Sequence, residues 1–178
     1  MADDLRDQPP FSAEERQRLR RLLDEESIRG LATRYSQYMD HSYFDRFREL
    51  FTPDIICEFG PYGLWEGLEM VIENFSAVNR EIGGRPFVSM HANTMHWIEW
   101  LDSDNAIGRR QLLDFQLTKS SNENPLVWLG LYEDRYLKTA NEWRISHMRL
   151  NFLWPENLVE DGFPGDFPPN SVFLGRSA

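Results

Sequence analysis

The stretch Phe87–Leu117, FVSMHANTMHWIEWLDSDNAIGRRQLLDFQL, constrains this chain more than any other. Apolar and aromatic residues run up to the turn formers Asp102-Ser103-Asp104-Asn105 and resume after them, the pattern of two long strands closed into a hairpin. With Leu101 set against Ala106, Glu99 faces Gly108, Trp97 faces Arg110, Met95 faces Leu112 and Asn93 faces Asp114. Side chains alternate along a strand, so His91, Asn93, Met95 and Trp97 then share one face with Arg110, Leu112, Asp114 and Gln116. That face carries an imidazole and a carboxylate one rung apart. A solvated face does not hold Trp97, Met95 and Leu112, and a plain core does not hold His91, Asp114 and Arg110. The mixture reads as the wall of a pocket with a polar foot. A slip of one residue would move His91 relative to Asp114.

The 178 residues suit one domain with a full core, and 41% hydrophobic residues exceed what a disordered chain carries. Six Trp and an aromatic content of 13% favour an aromatic-lined core or cavity. A net charge of −10 argues against nucleic acid or an anionic membrane as partner, since both require a basic footprint. No apolar run approaches the ~20 residues of a membrane helix, and MADDLRDQPP lacks a signal-peptide apolar region, so the expected location is the cytoplasm. The lone Cys57 excludes an internal disulfide and fits a reducing compartment. Lying within IICEF, it reads as a small core hydrophobe rather than a nucleophile.

In chain order, residues 1–11 form a flexible arm and residues 12–154 the folded domain. Ser12 and Glu15 have the spacing of a capping box, and a helical stripe (Leu19, Leu22, Leu23, Ile28, Leu31, Ala32, Tyr35) runs from there to about Met39, with Gly30 as a point of kinking or close approach. A short helix over Phe44–Leu50 stops at Thr52-Pro53-Asp54, a short strand spans Ile55–Phe59, and a helix over Leu68–Ile82 carries Val71, Ile72, Phe75 and Val78 on one stripe. After the hairpin come two more strands, Val127–Lys138 and Trp143–Phe152, joined by the turn Thr139–Glu142. The tail 155–178 is rich in Pro, Gly and Asp, with Phe163, Phe167 and Phe173 spaced along it, and is expected to drape over the pocket as a lid. Helices followed by long antiparallel strands predict an α+β fold: a cone-shaped α+β barrel with a curved, mainly antiparallel sheet and the N-terminal helices in its concave face. Ile98, Trp100, Ile107, Leu113, Phe115 and Leu117 then make an outer face too apolar for water, which predicts a homo-oligomer.

The order of elements and the run RYSQYMDHSYFDRFRELFTPD resemble the SnoaL-like branch of the nuclear-transport-factor-2-like superfamily. Tyr35 and Asp40 in YSQYMD, His91 in SMH and Asp114 in GRRQLLD resemble the bile acid 7α-dehydratase pattern, over roughly residues 25–152. Scytalone dehydratase is similar over the same region, but here Gln116 stands where that family has a second His and Met39 where it has a Tyr. The resemblance implies Tyr35, Asp40, His91 and Asp114 as the catalytic set, and a trimer ahead of a dimer.

An elimination from a carbon acid requires a base, an acid and a group that holds enolate charge. His91 is the best base, because a reference pKa of ~6.5 leaves an imidazole neutral yet basic at physiological pH. Asp40 can accept from the other ring nitrogen, Tyr35 can donate to a carbonyl or leaving oxygen, and Asp114 can act as acid or orient His91. Tyr35 and Asp40 are five residues apart, so both enter one cavity only if the helix unwinds or turns near Met39–His41. Each residue has a plainer reading: His91 as a structural strand histidine, Asp40 as a cap, Tyr35 as core, and Asp114 as a partner of Arg110. His96 falls on the opposite face, at the surface or an interface, and His147 on either side. Asn93, Trp97, Arg110, Gln116 and Trp154 are the expected substrate-binding residues. No HExxH, Cys cluster or GxGxxG occurs, so neither metal nor cofactor is expected. These features predict a cofactor-independent lyase that dehydrates a cyclic or polycyclic hydroxy-ketone such as a steroid, its partner a hydrophobic small molecule. The competing functions are an isomerase, cyclase or small-molecule binding protein on the same cone, and a structural subunit resembling the small subunit of ring-hydroxylating dioxygenases.

Overall fold

The computed structural model describes residues 11–81, 89–116 and 126–154. Helix α1 (Ala13–Asp40) starts at the expected capping box: the Glu15 N–H donates to Ser12 Oγ at 3.2 Å, and the Ser12 N–H donates to the Glu15 carboxylate at 2.8 Å. A 3₁₀ helix (Phe44–Glu49) leads into strand β1 (Phe51–Glu58), a 3₁₀ turn (Gly60–Tyr62) and the short β2 (Leu64–Glu66). Helix α2 (Leu68–Glu81) precedes β3 (Ser89–Trp100), β4 (Asn105–Gln116), β5 (Leu126–Thr139) and β6 (Glu142–Trp154). The six strands form one sheet in the order β2-β1-β6-β5-β4-β3. Its ladders are antiparallel except β1–β6, and register shifts in the β1–β6, β3–β4 and β5–β6 ladders bend it into a trough. The trough does not close, since β2 and β3 are its edges. The α+β architecture expected from the sequence is present, as an open cone.

The core fills the space between the helices and the concave face. Ile28, Leu31 and Tyr35 of α1 meet Phe47, Phe51, Ile55, Val71, Ile145 and Met148, all buried. Phe47 lies edge-on to Phe51 and Phe75 at centroid distances of 5.2 and 5.5 Å, the geometry aromatic quadrupoles favour. Cys57 is wholly buried and burial pushes its thiol far up, so it is an inert core residue. The β5–β6 hairpin turns through Ala140 and Asn141, both at positive φ, which matches the right-handed twist of its strands. No helix among the described residues is long and apolar enough to cross a membrane.

The first four turns of α1 differ from expectation. Leu19, Leu22 and Leu23 stay 40, 61 and 68% exposed, and the first fully buried position is Ile28. This part of the helix touches the sheet through polar side chains, with the Arg21 guanidinium 5.1 Å from the Trp100 ring centroid and Asp24 accepting from Lys138 Nζ at 2.8 Å and Trp143 Nε1 at 2.9 Å, while the leucines stay in solvent. A Cβ at Gly30 would meet nothing within 4 Å, so among the described residues no element packs closely there. The strand read from Ile55 begins instead at Phe51. Pro53 is tolerated because it sits in the irregular stretch between Phe51 and Ile56, where the β1–β6 ladder shifts register. The arm (save Phe11) and the tail with its lid role lie outside the described residues.

The hairpin register also differs. Trp100, not Leu101, pairs with Ala106, and a bulge between Thr94 and Trp97, with Met95 at φ 52°, slips the ladder by another residue. His91 therefore stands directly opposite Asp114 and Asn93 opposite Leu112. Beyond the bulge the faces exchange. His96, Ile98 and Trp100 turn inward, where Ile98 and Trp100 pack on the core, while Trp97, paired with Arg109, turns to the other face. The outer apolar face that suggested an oligomer thus loses Ile98 and Trp100; opposite the face of Leu112 and Asp114, Ile107 is buried, and Leu113 and Phe115 are partly exposed.

Candidate active site

Asp40 is the last residue of α1, and Ser42 at φ 57° turns the chain back behind it. At 3.6 residues per turn, Tyr35 and Asp40 point about 140° apart, and the helix does not unwind to reconcile them. Tyr35 faces the core, and Asp40 reaches β3.

There the Asp40 carboxylate is held by three groups of β3. His91 Nδ1 lies 2.6 Å from Asp40 Oδ1, the His91 backbone N–H donates to both carboxylate oxygens at 3.2 Å, and Ser89 Oγ donates at 3.5 Å. A carboxylate only accepts, so Nδ1 carries the imidazole proton and the Nε2 lone pair is left free. Nε2 points across the β3–β4 rung to Asp114 Oδ2 at 3.8 Å, too far for a hydrogen bond. His91 and Asp114 both line a cavity of ≈ 180 Å³, opposite apolar walls supplied by Met39, Phe59, Trp65, Phe75, Trp128 and Phe152. A lone pair and a carboxyl group that converge from one side of a greasy cavity can exchange protons with two adjacent atoms of one bound molecule.

Beneath this site lies a buried polar stack. Arg110, with no exposure, donates to Asp134 at 2.7 Å and to Asn93 Oδ1 at 2.5 Å. Asn93 in turn donates to Ser36, and the Tyr136 hydroxyl donates to Asp134 at 2.9 Å and meets His96 Nε2 at 2.9 Å. Because Tyr136 spends its proton on Asp134, His96 Nε2 is the donor to Tyr136. Burial, with Arg110 adding to it, drives the His96 pKa down to about 4, so this ring stays neutral. Burial opposes the charge of Arg110, but Asp134 and the surrounding tyrosines outweigh it and hold the guanidinium protonated. The Arg110 cation lies 3.8 Å from the ring centroid of Tyr132 and 5.2 Å from that of Tyr35.

Of the expected catalytic residues, Asp40, His91 and Asp114 come together. Tyr35 does not line the cavity: it is buried behind Tyr132, its ring 5.9 Å away and edge-on, and burial raises its pKa well above the usual value. Among the expected binding residues, Asn93 and Arg110 belong to the stack below the cavity rather than its wall. Trp97 is on the other face because of the bulge, and Trp154 ends β6 at 56% exposure, outside the lining. Gln116 pairs in the backbone with Ser89, and its side chain lies outside the described set. His96, expected at the surface, faces inward, and His147 faces outward to Glu58 at 2.6 Å. Arg110, which the plainer reading of Asp114 made its ion-pair partner, pairs with Asp134. The residue missed in the sequence is Tyr132, which lines the cavity with His91 and Asp114. Its signal was the run LYEDRYLK, where Tyr132, Asp134 and Tyr136 fall on one face of β5, an alternation unsuited to either solvent or plain core. Among the described residues, no three His, Cys, Asp or Glu side chains gather as a metal-binding group.

The fold recurs in solved structures. An NTF2-like protein with a cystatin-like fold from Novosphingobium aromaticivorans superposes with a TM-score of 0.71 at 18% identity, covering 84% of this chain and 94% of that one. A protein assigned as a scytalone dehydratase from the same organism gives 0.63 at 18% identity, with 74% and 85% covered. The hexachlorocyclohexane dehydrochlorinase of Novosphingobium barchaimii gives 0.66 at 17% identity, with 83% and 99% covered. No curated protein matches the chain in sequence. The SnoaL-like domain matches residues 20–149, from the second turn of α1 through most of β6 and so across every element that builds the cavity, and on that match the chain belongs to the SnoaL-like domain family.

Proposed function

We propose that this domain is a cofactor-independent lyase that dehydrates a cyclic hydroxy-ketone, with His91 as base, Asp40 as its anchor and Asp114 as acid. The observation that carries the reading is the line Asp40–His91–Asp114: 2.6 Å on the Nδ1 side, 3.8 Å on the Nε2 side, inside an apolar cavity. His91 Nε2 takes the proton next to the carbonyl, and Asp40 stabilises the imidazolium that forms. The electron pair returns from the enolate oxygen to expel hydroxide, which leaves as water with the Asp114 proton. The proton held on His91 then returns to Asp114, so the site ends as it began. Base and acid address the substrate from one side, so the elimination is syn.

The reading is supported by the family and by the dehydratase and dehydrochlorinase folds that the chain is similar to, both names of elimination enzymes. A structural subunit would fill the opening with side chains, whereas this trough keeps a cavity. An engineered apolar cavity of about 150 Å³ holds benzene. The ≈ 180 Å³ enclosed here therefore takes one ring or two small fused rings, and a larger skeleton such as a steroid extends through the mouth past Tyr62.

α-Tetralone, a two-ring ketone, tests the base directly. In heavy water the protein should exchange its α-protons for deuterium well above buffer, followed by proton NMR, and β-hydroxy cyclic ketones should gain the enone absorbance. Binding without exchange would assign the cavity to a binding protein, and neither binding nor exchange across such ketones would end the lyase reading.

A further inference from the structure

Elimination leaves negative charge on the carbonyl oxygen, and neither His91 nor Asp114 is free to hold it. The cavity offers a third polar side chain. Tyr132 stands on β5 directly opposite Arg110 on β4, on the concave face that also carries Asp114. It is 2% exposed, and it lines the same cavity as His91 and Asp114. Its place is fixed from beneath by the Arg110 guanidinium at 3.8 Å, itself clamped by Asp134, and from the side by Tyr35, edge-on at 81°. Between Tyr132 and Trp128 the same face of β5 carries Gly130, where a Cβ would fall 2.7 Å from Leu150 Cδ1, a cavity-wall atom. Glycine there lets the Leu150 side chain, which lines the same cavity, pack closely against β5 beside Tyr132.

We propose that Tyr132 is a further catalytic residue of this site, whose hydroxyl donates a hydrogen bond to the carbonyl oxygen of the bound ketone and holds the charge of the enolate as His91 removes the α-proton. The assignment rests on the elimination reading for its timing, and on the cavity geometry alone for the contact with a carbonyl. It moves the role expected of Tyr35 one layer forward and leaves Tyr35 as a positioning residue. Burial pushes Tyr132 up to about 12, with Arg110 and the hydrogen bond from Tyr35 pulling the other way. The hydroxyl therefore keeps its proton through the neutral range and acts as a donor. The cation under the ring polarises that O–H without forming a salt bridge to the substrate, so the bond strengthens as the carbonyl becomes an enolate.

The test compares α-tetralone with tetralin, the same skeleton without the carbonyl. Binding is read by quenching of the cavity tryptophans Trp65 and Trp128, and the carbonyl stretch of bound α-tetralone by infrared difference spectroscopy. In the wild-type protein the carbonyl band should fall to lower frequency than in a hydrocarbon solvent. Tyr132→Phe keeps the ring over Arg110, so it should restore the hydrocarbon position of the band. It should also weaken α-tetralone binding about five- to tenfold, the worth of one hydrogen bond, and leave tetralin unchanged. Tyr35→Phe should keep most of the band shift. An unshifted band in the wild-type protein overturns the proposal without any variant. So does a band that stays shifted in Tyr132→Phe, or an equal loss of tetralin and α-tetralone binding. A shifted band in a protein that exchanges no α-proton would instead retain Tyr132 as the carbonyl donor and reject the lyase reading.

Discussion

Replacing His91 by alanine should lower α-proton exchange of α-tetralone, and turnover of any true substrate, by about 10²- to 10⁴-fold, the usual worth of a positioned general base. The domain should stay folded, because the His91 side chain lies on the cavity wall rather than under it. Asp40→Asn should lose a comparable amount for a different reason. An amide in place of the carboxylate at 2.6 Å from Nδ1 removes the charge that stabilises the imidazolium, and its NH₂ group invites the wrong tautomer. Base and anchor act as one unit, so the double variant should be scarcely slower than either single one. Single-turnover rates of the three proteins decide the matter. Losses that multiply, or an active His91→Ala protein, would show that His91 is not the base.

The second large effect is on stability. Arg110→Met should destabilise the domain by about 3–5 kcal/mol, because it strands the Asp134 carboxylate, which has no exposure of its own, without its cation. For a chain of this size that is a fall in Tm on the order of 10 °C. Adding Asp134→Asn removes the stranded charge while leaving an acceptor for Tyr136, so it should recover the larger part of the loss. Urea melts of the single and double variants measure both numbers. A loss below about 1 kcal/mol for Arg110→Met would mean that the pair does not hold the sheet together.

Much of this was legible in the sequence, where local chemistry decided the outcome. The Ser12–Glu15 box set the start of α1, the Asp102–Asp104 cluster closed the hairpin, and alternation placed His91 and Asp114 on one face. The β-bulge was not legible in that way, because Met95 and His96 carry no glycine or proline to mark it. A weaker sign exists: Thr94 and Glu99 are five apart, and a regular strand puts such a pair on opposite faces. Both are paired on the outer side, which only a bulge permits. Tyr35 misled for the opposite reason. Its position on the apolar stripe was read correctly as core and then given a substrate role by resemblance. The tyrosine that lines the cavity beside His91 and Asp114, Tyr132, stands instead on β5, a strand whose faces had not been assigned.

The sheet order carries a consequence for how the domain assembles. Strands β3 to β6 are a meander of neighbours in sequence, whereas β1 reaches its partner β6 only through long-range pairs such as Ile56–His147. Closing a short turn costs less chain entropy than closing so long a loop, so the meander should form before β1 and α1 dock. His91 and Asp114 then meet early, on adjacent strands of one hairpin, and Asp40 arrives last, at the end of a helix that must first find the trough. The Asp40 contact to His91 Nδ1 should therefore form only at the final step of folding. Pulse-labelled hydrogen exchange that protected β1 before the meander would reverse this order. With it, a partly folded chain holds an imidazole beside a carboxyl group but no Asp40 to orient the ring, so the base proposed at His91 would be complete only when the whole domain has closed.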